Sequence, residues 1–260
     1  MCGPLRKKFP SITEIVLPGA LIALIVLVWF FVTEAGFIQS FLLPSPNSVF
    51  LAFVGSFGEL MRNATTSLIE AFLGLFLGII LAVLLALLMD RFDFAHKTVF
   101  PVLIISQTIP VIAIAPLLVL WLGYGIEPKI ALILLVCFFP ISIGLLSGFK
   151  SADKDVINLF RSMGASKWQI LKHIKLPSAM EAFFAGLKIA VSYSIVGAII
   201  AEWLGGESGL GVYMTMVRRS YSYDKMFAVI ILVIILSLLL MLFVAVIEKK
   251  AMPWKRFKIK

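Results

Sequence analysis

The chain has 260 residues, of which 61% are hydrophobic and only 14% are charged. This composition excludes an ordinary soluble domain, which cannot hide so much apolar surface, and it predicts a polytopic membrane protein. The formal net charge of +9 reflects 23 basic against 14 acidic residues. Because the basic residues cluster between the apolar runs, we attribute the charge to membrane orientation and not to nucleic-acid binding.

The apolar runs predict an all-α membrane protein with about six transmembrane helices, since a bilayer span needs about 20 residues. The spans form one membrane domain, residues 15–247, between an N-terminal segment, residues 1–14, and a basic tail, residues 248–260. In chain order, the predicted spans are Ile15–Val32, Ser67–Met89, Val99–Leu122, Ile130–Gly148, Phe183–Leu204 and Met226–Ile247.

The distribution of lysine and arginine predicts the orientation of these spans. If the N-terminus is inside, most of the basic residues fall in inner segments, as the positive-inside rule requires. We therefore expect both termini in the cytoplasm. The few basic residues then left on the outer side are Arg62, Lys129, Arg218, Arg219 and Lys225.

Small residues recur along the second predicted span at intervals of three and four, so they share one face of a helix. In lipid, such faces allow helices to approach closely. The pattern favours packing within the chain, with a dimer interface as the alternative. The residues are Ala71, Gly74, Gly78, Ala82 and Ala86.

The third predicted span contains three prolines, Pro101, Pro110 and Pro116, and the polar Gln107. Each proline removes a backbone donor and disturbs the helix. Broken helices at membrane depth are tolerated where they are buried in protein or line a water-filled cavity. This span is therefore the first candidate for the wall of a transport pathway, and a kinked helix without a solute role is the alternative.

The fifth predicted span carries Ser192 and Tyr193 and ends near Glu202. A carboxylate close to the outer boundary can be solvated at the interface or can face the pathway, and the same two positions are open for Glu70. The complete set of candidate pathway residues is Gln107, Pro110, Pro116, Ser192, Tyr193 and Glu202.

The loop Asp153–His173, between the fourth and fifth spans, is too polar for a span and too patterned for a linker. Asp153 suits a helix N-cap and Gly164 a helix end. A second helix is expected over Ser166–Ile174, ending at Pro177. The two short helices would form a compact projection, here called the knob. The knob can lie on the membrane surface or insert into a groove on a partner. Apolar residues recur at helical spacing at Val156, Ile157, Phe160 and Met163.

The spacing of Gly164, Ile174, Leu176 and Pro177 reads G-x9-I-x-L-P. It resembles the loop of the membrane subunits of binding-protein-dependent ABC importers, whose pattern is E-A-A-x3-G-x9-I-x-L-P. In one departure, Asn158-Leu159-Phe160 replaces E-A-A. Other segments resemble the nitrate, sulfonate, taurine and pyrimidine-precursor branch of that family: Leu43-Pro44-Ser45-Pro46, Ala115-Pro116-Leu117, Gly164-Ala165-Ser166, and Glu202 followed by Gly209-Leu210-Gly211.

The resemblance implies a permease subunit in a bacterial plasma membrane. Residues 153–177 would hold the coupling helix that docks on an ATP-binding subunit. Two permease copies, expected to be a homodimer, would work with two ATP-binding subunits and a solute-binding protein outside the cell. ATP and Mg²⁺ would be bound by the partner subunit and no cofactor by this chain. The implied interface residues are Asn158, Phe160, Arg161, Gly164, Ala165, Ser166 and Pro177.

The sequence offers no sign of catalysis. It contains no G-x4-G-K-[ST] phosphate loop, so ATP hydrolysis is expected in another polypeptide. The histidines are His96 and His173, without a metalloprotease motif, and the two cysteines, Cys2 and Cys137, are expected to be inert thiols. We therefore predict a transport subunit that is not an enzyme and holds no metal.

A stand-alone secondary carrier that uses a broken third helix is the alternative function. The chain shows no internal repeat and no ionisable residue in the middle of its spans, which weighs against it. For the substrate, Gln107, Ser192 and Tyr193 offer neutral hydrogen bonds and no deep lysine or arginine is present. This favours an uncharged ring, such as a thiamine-pyrimidine precursor, over an alkylsulfonate, taurine or nitrate.

Overall fold

The computed structural model describes residues 12–256, which form eleven α-helices, one π-helical turn, Leu171–Lys175, and one short 3-10 turn, Pro253–Arg256. Most of the predicted N-terminal segment, with Cys2, and the last four residues of the basic tail lie outside this range. The helices are α1 Ile12–Glu34, α2 Pro46–Gly55, α3 Phe57–Arg91, α4 Asp93–Ser106, α5 Val111–Leu122, α6 Glu127–Lys150, α7 Lys154–Ser162, α8 Lys167–Ile170, α9 Leu176–Gly205, α10 Leu210–Arg219 and α11 Tyr223–Ala251.

Within the described range, five helical stretches are long and apolar enough to cross a bilayer: α1, α3, α6, α8 to α9, and α11. A sixth candidate is the pair α4 and α5, which is bent by 101°. The prediction of an all-α membrane protein with about six spans is confirmed. The third span is broken, as its prolines suggested, into two helices separated by residues 107–110.

The centre of the bundle is α6, which packs between α3 and α9. Its core contacts are made by fully buried aliphatic side chains such as Ile133, Ile141 and Ile195. Gly148 of α6 lies directly against the backbone of Ala179, and Gly186 of α9 lies against that of Pro140. Because these glycines have no side chain, the two helix backbones touch, as is typical of helices that associate in lipid.

The small-residue stripe of α3 faces the same central helix. All five of its residues are buried, and a Cβ atom on Gly74 would overlap Ile133 while one on Gly78 would press on Cys137. The interpretation of this stripe as packing within the chain is confirmed.

The first helix is peripheral. None of the residues in its span is buried, and its side chains are mostly exposed and apolar. It is held near its end by Trp29, whose indole Nε1 donates to the carbonyl oxygen of Pro44 at 3.1 Å and whose ring lies 5.9 Å from that of Phe227. A helix with this exposure suits contact with lipid.

The end predicted for the second loop helix is wrong. The helical backbone does not stop at Pro177 but runs without a break from Lys167 to Gly205. The turn Leu171–Lys175 is π-helical, and the amide of Leu176 donates to the carbonyl of Leu171, five residues back. Pro177 has no amide to continue the α-helical pattern, and the wider turn directly before it lets the helix continue.

Candidate functional site

A cavity of about 540 Å³ opens beside the break between α4 and α5 and is walled by α6 and α9. The polar groups on its wall come from Ser106, Gln107 and Tyr193. The rest of the lining is apolar and partly aromatic, and includes Leu135, Val136, Phe138, Phe139, Val196 and Ile200. A mostly apolar pocket with a few polar groups is the usual form of a small-molecule site.

The break that shapes this cavity coincides with only one of the three prolines. Pro110 precedes α5 in an extended conformation, whereas Pro101 lies inside α4 and Pro116 inside α5. Proline disfavours the α conformation in the residue before it, here Ile109, so the chain leaves the helix at that point. The amides of Thr108 and Ile109 turn back to the carbonyls of Ile105 and Ser106.

The structure brings two of the six candidate pathway residues, Gln107 and Tyr193, into the lining of the cavity. Pro110 lies at the adjacent break. The hydroxyl of Ser192 donates within its own helix to the carbonyl of Lys188 at 3.4 Å. Pro116 and Glu202 are outside the lining. Sequence reasoning missed Phe138 and Phe139, which also line the cavity. Their place in the lining depends on the rotation of α6, and the evenly apolar sequence of that helix does not reveal this rotation.

The carboxylate of Glu202 is buried within the protein, with 1% of the residue exposed. One of its oxygens accepts from the hydroxyl of Ser67 at 2.6 Å, and the other accepts from the amide of Gly211 at 2.6 Å. The sequence left open whether Glu202 is solvated at the interface or faces the pathway. Solvation at the interface is wrong, and the carboxylate does not line the cavity either. Both carboxylate oxygens are engaged in contacts with α3 and α10.

Glu70 is also buried, and its partner is Lys129. The Nζ atom of Lys129 lies 2.6 Å from Oε1 of Glu70, and the two residues are 6% and 2% exposed. The second oxygen of Glu70, Oε2, has no hydrogen-bond partner in the described structure. This ion pair joins α3 to the first turn of α6. Solvation at the interface is wrong for Glu70 as well.

The knob predicted between the fourth and fifth spans is present as α7 and α8. Asp153 is the N-cap of α7, since its side chain accepts from the amide of Asp155 at 2.8 Å. Gly164 ends α7 with a φ of 83°, and the amides of Gly164 and Ala165 donate to the carbonyls of Arg161 and Phe160. This is a Schellman motif. Ser166 and Gln169 then form a capping box at the start of α8.

The knob has an inner apolar face that holds it together. Ile157, Phe160 and Ala165 pack against a small buried cluster of Ala152, Ile170 and Ile174. Of the predicted interface residues, Phe160 and Ala165 are therefore half-buried in support of the knob, and Pro177 is half-buried in the first turn of α9. The exposed members of the predicted interface are Asn158, Arg161, Gly164 and Ser166.

The knob also has an outer apolar face that nothing in the described chain covers. Leu159 and Met163 are 58% and 76% exposed, and Val156 lies one turn before Leu159 on the same side of α7. Trp168 of α8 is also exposed, but it lines a separate cleft beside Asp90 and Arg91. Sequence reasoning counted Met163 among the periodic residues but did not separate the inner from the outer face. We call Val156, Leu159 and Met163 the outer face of the knob.

An ion pair fixes the knob to the bundle. Nζ of Lys175 lies 2.6 Å from Oδ1 of Asp90 at the end of α3, with both side chains about one-fifth exposed. Since Lys175 is the last residue of the π-helical turn, this contact holds the segment between the knob and α9 against the end of α3.

Residues 74–252 match the family of inner membrane components of binding-protein-dependent transport systems. The chain belongs to this family. It is 35% identical, over 84% of its length and 88% of the relative's, to the formylaminopyrimidine transport permease protein ThiX of Halalkalibacterium halodurans. It is 29% identical, over 97% of its length and 91% of the relative's, to the putative aliphatic sulfonates transport permease protein SsuC of Bacillus subtilis.

The fold of this permease agrees with its family. A chain of the MetNI methionine ABC transporter, solved in inward-facing conformations, matches with a TM-score of 0.66 at 19% identity, over 75% of this chain and 97% of that one. This protein is therefore a multi-pass membrane permease of an ABC importer, which implies ATP-binding and solute-binding partners. Family membership favours the importer over the stand-alone carrier.

Proposed function

We propose that this permease works as a homodimer, with an ATP-binding subunit docked on each knob, a solute-binding protein on the opposite side, and ATP hydrolysis confined to the docked subunits. The observation that carries the proposal is the outer face of the knob. Large apolar side chains exposed together on a rigid, capped helix pair are typical of a docking surface.

The form of the cavity supports the homodimer. Tyr193 is 51% exposed and Gln107 is also exposed, so one wall is missing in the single chain. Ile189 and Val196, two turns apart on α9, present apolar side chains on the same open side. A second copy placed there would close the cavity into a pathway. ATP-driven movement of the knobs would then switch its opening between the two sides of the membrane.

The proposed orientation places the knob and both chain termini in the cytoplasm of a bacterium. Most lysines and arginines, including Lys154, Arg161 and Lys167 of the knob, then lie on the inner side. The solute-binding protein would meet the opposite end of the bundle, where α10 lies.

For the substrate, we propose an uncharged nitrogen heterocycle, first a pyrimidine precursor of thiamine. None of the described residues that line the cavity carries a formal charge, while Tyr193 offers an exposed aromatic ring and Gln107 an amide. Flat rings stack on such surfaces. The relative in Halalkalibacterium halodurans is named for formylaminopyrimidine transport. Alkylsulfonates, taurine or nitrate are the next candidates, because another relative is named for aliphatic sulfonates.

A pull-down of the tagged chain from native membranes in mild detergent tests the assembly. We expect an ATP-binding subunit and a solute-binding protein to co-purify. Leu159→Ala should lower recovery of the ATP-binding subunit about fivefold, which corresponds to a loss of about 1 kcal/mol of binding free energy, because Leu159 lies at the centre of the outer face. Leu51→Ala is the matched control, since Leu51 is 62% exposed on α2, away from the knob. A chain that purifies alone, yet transports on an ion gradient, would overturn the proposal.

Uptake of a radiolabelled aminopyrimidine by cells that express the whole transporter tests the substrate. We expect competition by unlabelled pyrimidine and none by excess alkylsulfonate. Tyr193→Ala should lower uptake about fivefold, since a base stacked on an aromatic ring gains about 1–3 kcal/mol. Tyr124→Ala is the control, because Tyr124 is 74% exposed and outside the cavity lining. Competition by sulfonate but not by pyrimidine would reverse the substrate assignment.

A further inference from the structure

We infer that Glu202 is a positioning residue that fastens α10 to α3 and α9, so that an event on the outer side at α10 is transmitted along α9 to the knob. The inference rests on the proposed function, because it assigns a route between two proposed docking sites. One is the α10 end of the bundle, for the solute-binding protein, and the other is the knob, for the ATP-binding subunit. Its basis is a set of contacts at the end of α9 that is remote from the knob.

Three successive backbone amides at the start of α10 are held by three side chains. The amide of Gly209 donates to Oδ1 of Asn63 at 3.1 Å, and the amide of Leu210 donates to the hydroxyl of Ser67 at 2.9 Å. The amide of Gly211 donates to Glu202 at 2.6 Å. Asn63 and Ser67 lie on α3, whereas Glu202 lies on α9, so α10 is tied to both helices.

Glu202 is the centre of this arrangement. Its second oxygen accepts from the hydroxyl of Ser67, which itself accepts from Leu210. The carboxylate therefore orients the Ser67 hydroxyl as well as binding α10 directly. A carboxylate near the first amides of a helix is also favoured by the helix dipole. We call Asn63, Ser67 and Glu202 the clamp.

Two glycines at the start of α10, Gly209 and Gly211, lie in close contact with Glu202 of the clamp. A Cβ atom on Gly209 would overlap the carboxylate of Glu202, and one on Gly211 would press on its side chain. Gly209 also has a φ of 123°, which side chains rarely allow. The start of α10 can lie this close to the carboxylate only because both positions lack side chains. This gives Glu202, Gly209 and Gly211 a joint role, and that role is in positioning α10.

The helix that carries Glu202 connects the clamp to the knob. The stretch Lys167–Gly205 is one continuous helical backbone, and a helix of this length transmits displacement as a stiff element. At the clamp end, α10 presents Met216, Arg218 and Arg219 as exposed side chains. A partner that binds this exposed side of α10 would act on α9 through the clamp.

The test uses the permease assembled with its ATP-binding subunit in lipid nanodiscs. ATP hydrolysis is measured with and without the solute-binding protein recovered in the pull-down, and the ratio of the two rates is the readout. We expect Glu202→Gln and Ser67→Ala to lower this ratio about fivefold or more, within the usual range of allosteric coupling. The amide of a glutamine offers only one acceptor where two donors converge.

Glu207→Gln is the matched control, since Glu207 is an exposed carboxylate in the loop before α10. Its ratio should equal that of the unaltered complex. If Glu202→Gln does not assemble, Asn63→Ala decides, because Asn63 is only half-buried and contributes a single contact with α10. A smaller loss in the same ratio supports the inference.

The inference fails if all three clamp variants keep the unaltered ratio. It also fails if they lower the basal and stimulated rates by the same factor, because a merely structural role has that result. A different result identifies failure of the proposed function: the unaltered complex would then show no stimulation by the binding protein at all.

Discussion

Replacing Lys129 with methionine is expected to lower the free energy of unfolding by about 3–5 kcal/mol, the usual effect of breaking a buried ion pair. Methionine keeps most of the volume of the lysine but leaves Glu70 without a counter-charge. Glu70 is 2% exposed and one of its oxygens already lacks a hydrogen-bond partner. Unfolding of the purified permease in detergent, followed by circular dichroism, measures the loss.

A second substitution separates charge from packing. Glu70→Leu combined with Lys129→Met removes both charges and should recover most of the lost stability, since an apolar pair of similar size often replaces a buried ion pair without loss. Lys97→Met is the control, because Lys97 is exposed on α4. Full stability of Lys129→Met alone, or a double variant as unstable as the single one, would contradict this account.

Replacing Gly164 with valine is expected to reduce transport at least about tenfold, within the range of coupling effects, while insertion into the membrane is retained. No atom lies within 4 Å of a Cβ placed on Gly164, so the valine fits sterically. The obstacle is the backbone, because a φ of 83° is a genuine outlier for a β-branched residue. Relief of that strain would break the turn between α7 and α8 and misplace the outer face of the knob.

Gly36 provides a control because its backbone adopts a similar left-handed conformation. Its φ is 73°, and no atom lies within 4 Å of a Cβ placed there, but it lies in the segment after α1. Gly36→Val should carry a similar backbone strain and yet leave transport within about twofold of the unaltered protein, because surface changes away from a site have small effects. Membrane extraction and an uptake assay on both variants test this. Equal transport in the two variants would remove the evidence for coupling at Gly164.

The knob was predictable in detail from its sequence because its determinants are local. Asp153 caps α7 and Gly164 ends it as expected, since these preferences act over a few residues. The end at Pro177 was not predictable in the same way. A proline usually ends or kinks a helix, and only the three-dimensional structure shows that a π-helical turn accommodates it.

The buried polar contacts could not be predicted from the sequence, and the reason is different. Glu70 and Lys129 are 59 residues apart, and Ser67 and Glu202 are 135 apart. Nothing in either local pattern indicates its partner, so each carboxylate could only be placed near a membrane boundary. The same limit applies to Phe138 and Phe139, because α6 is apolar on nearly all sides and its rotation is set by packing against α3 and α9.

The π-helical turn at Leu171–Lys175 has a consequence for insertions and deletions. Such a turn is equivalent to one extra residue accommodated in an α-helix. Deletion of one residue within Leu171–Lys175 would therefore turn the wide turn into an ordinary α-helical turn and leave the knob at nearly the same angle around the axis of α9. A deletion in the regular α-helix beyond Pro177 has no such reserve, because each residue there corresponds to about 100° of rotation and about 1.5 Å of rise. That deletion would turn the outer face of the knob to another side of the bundle.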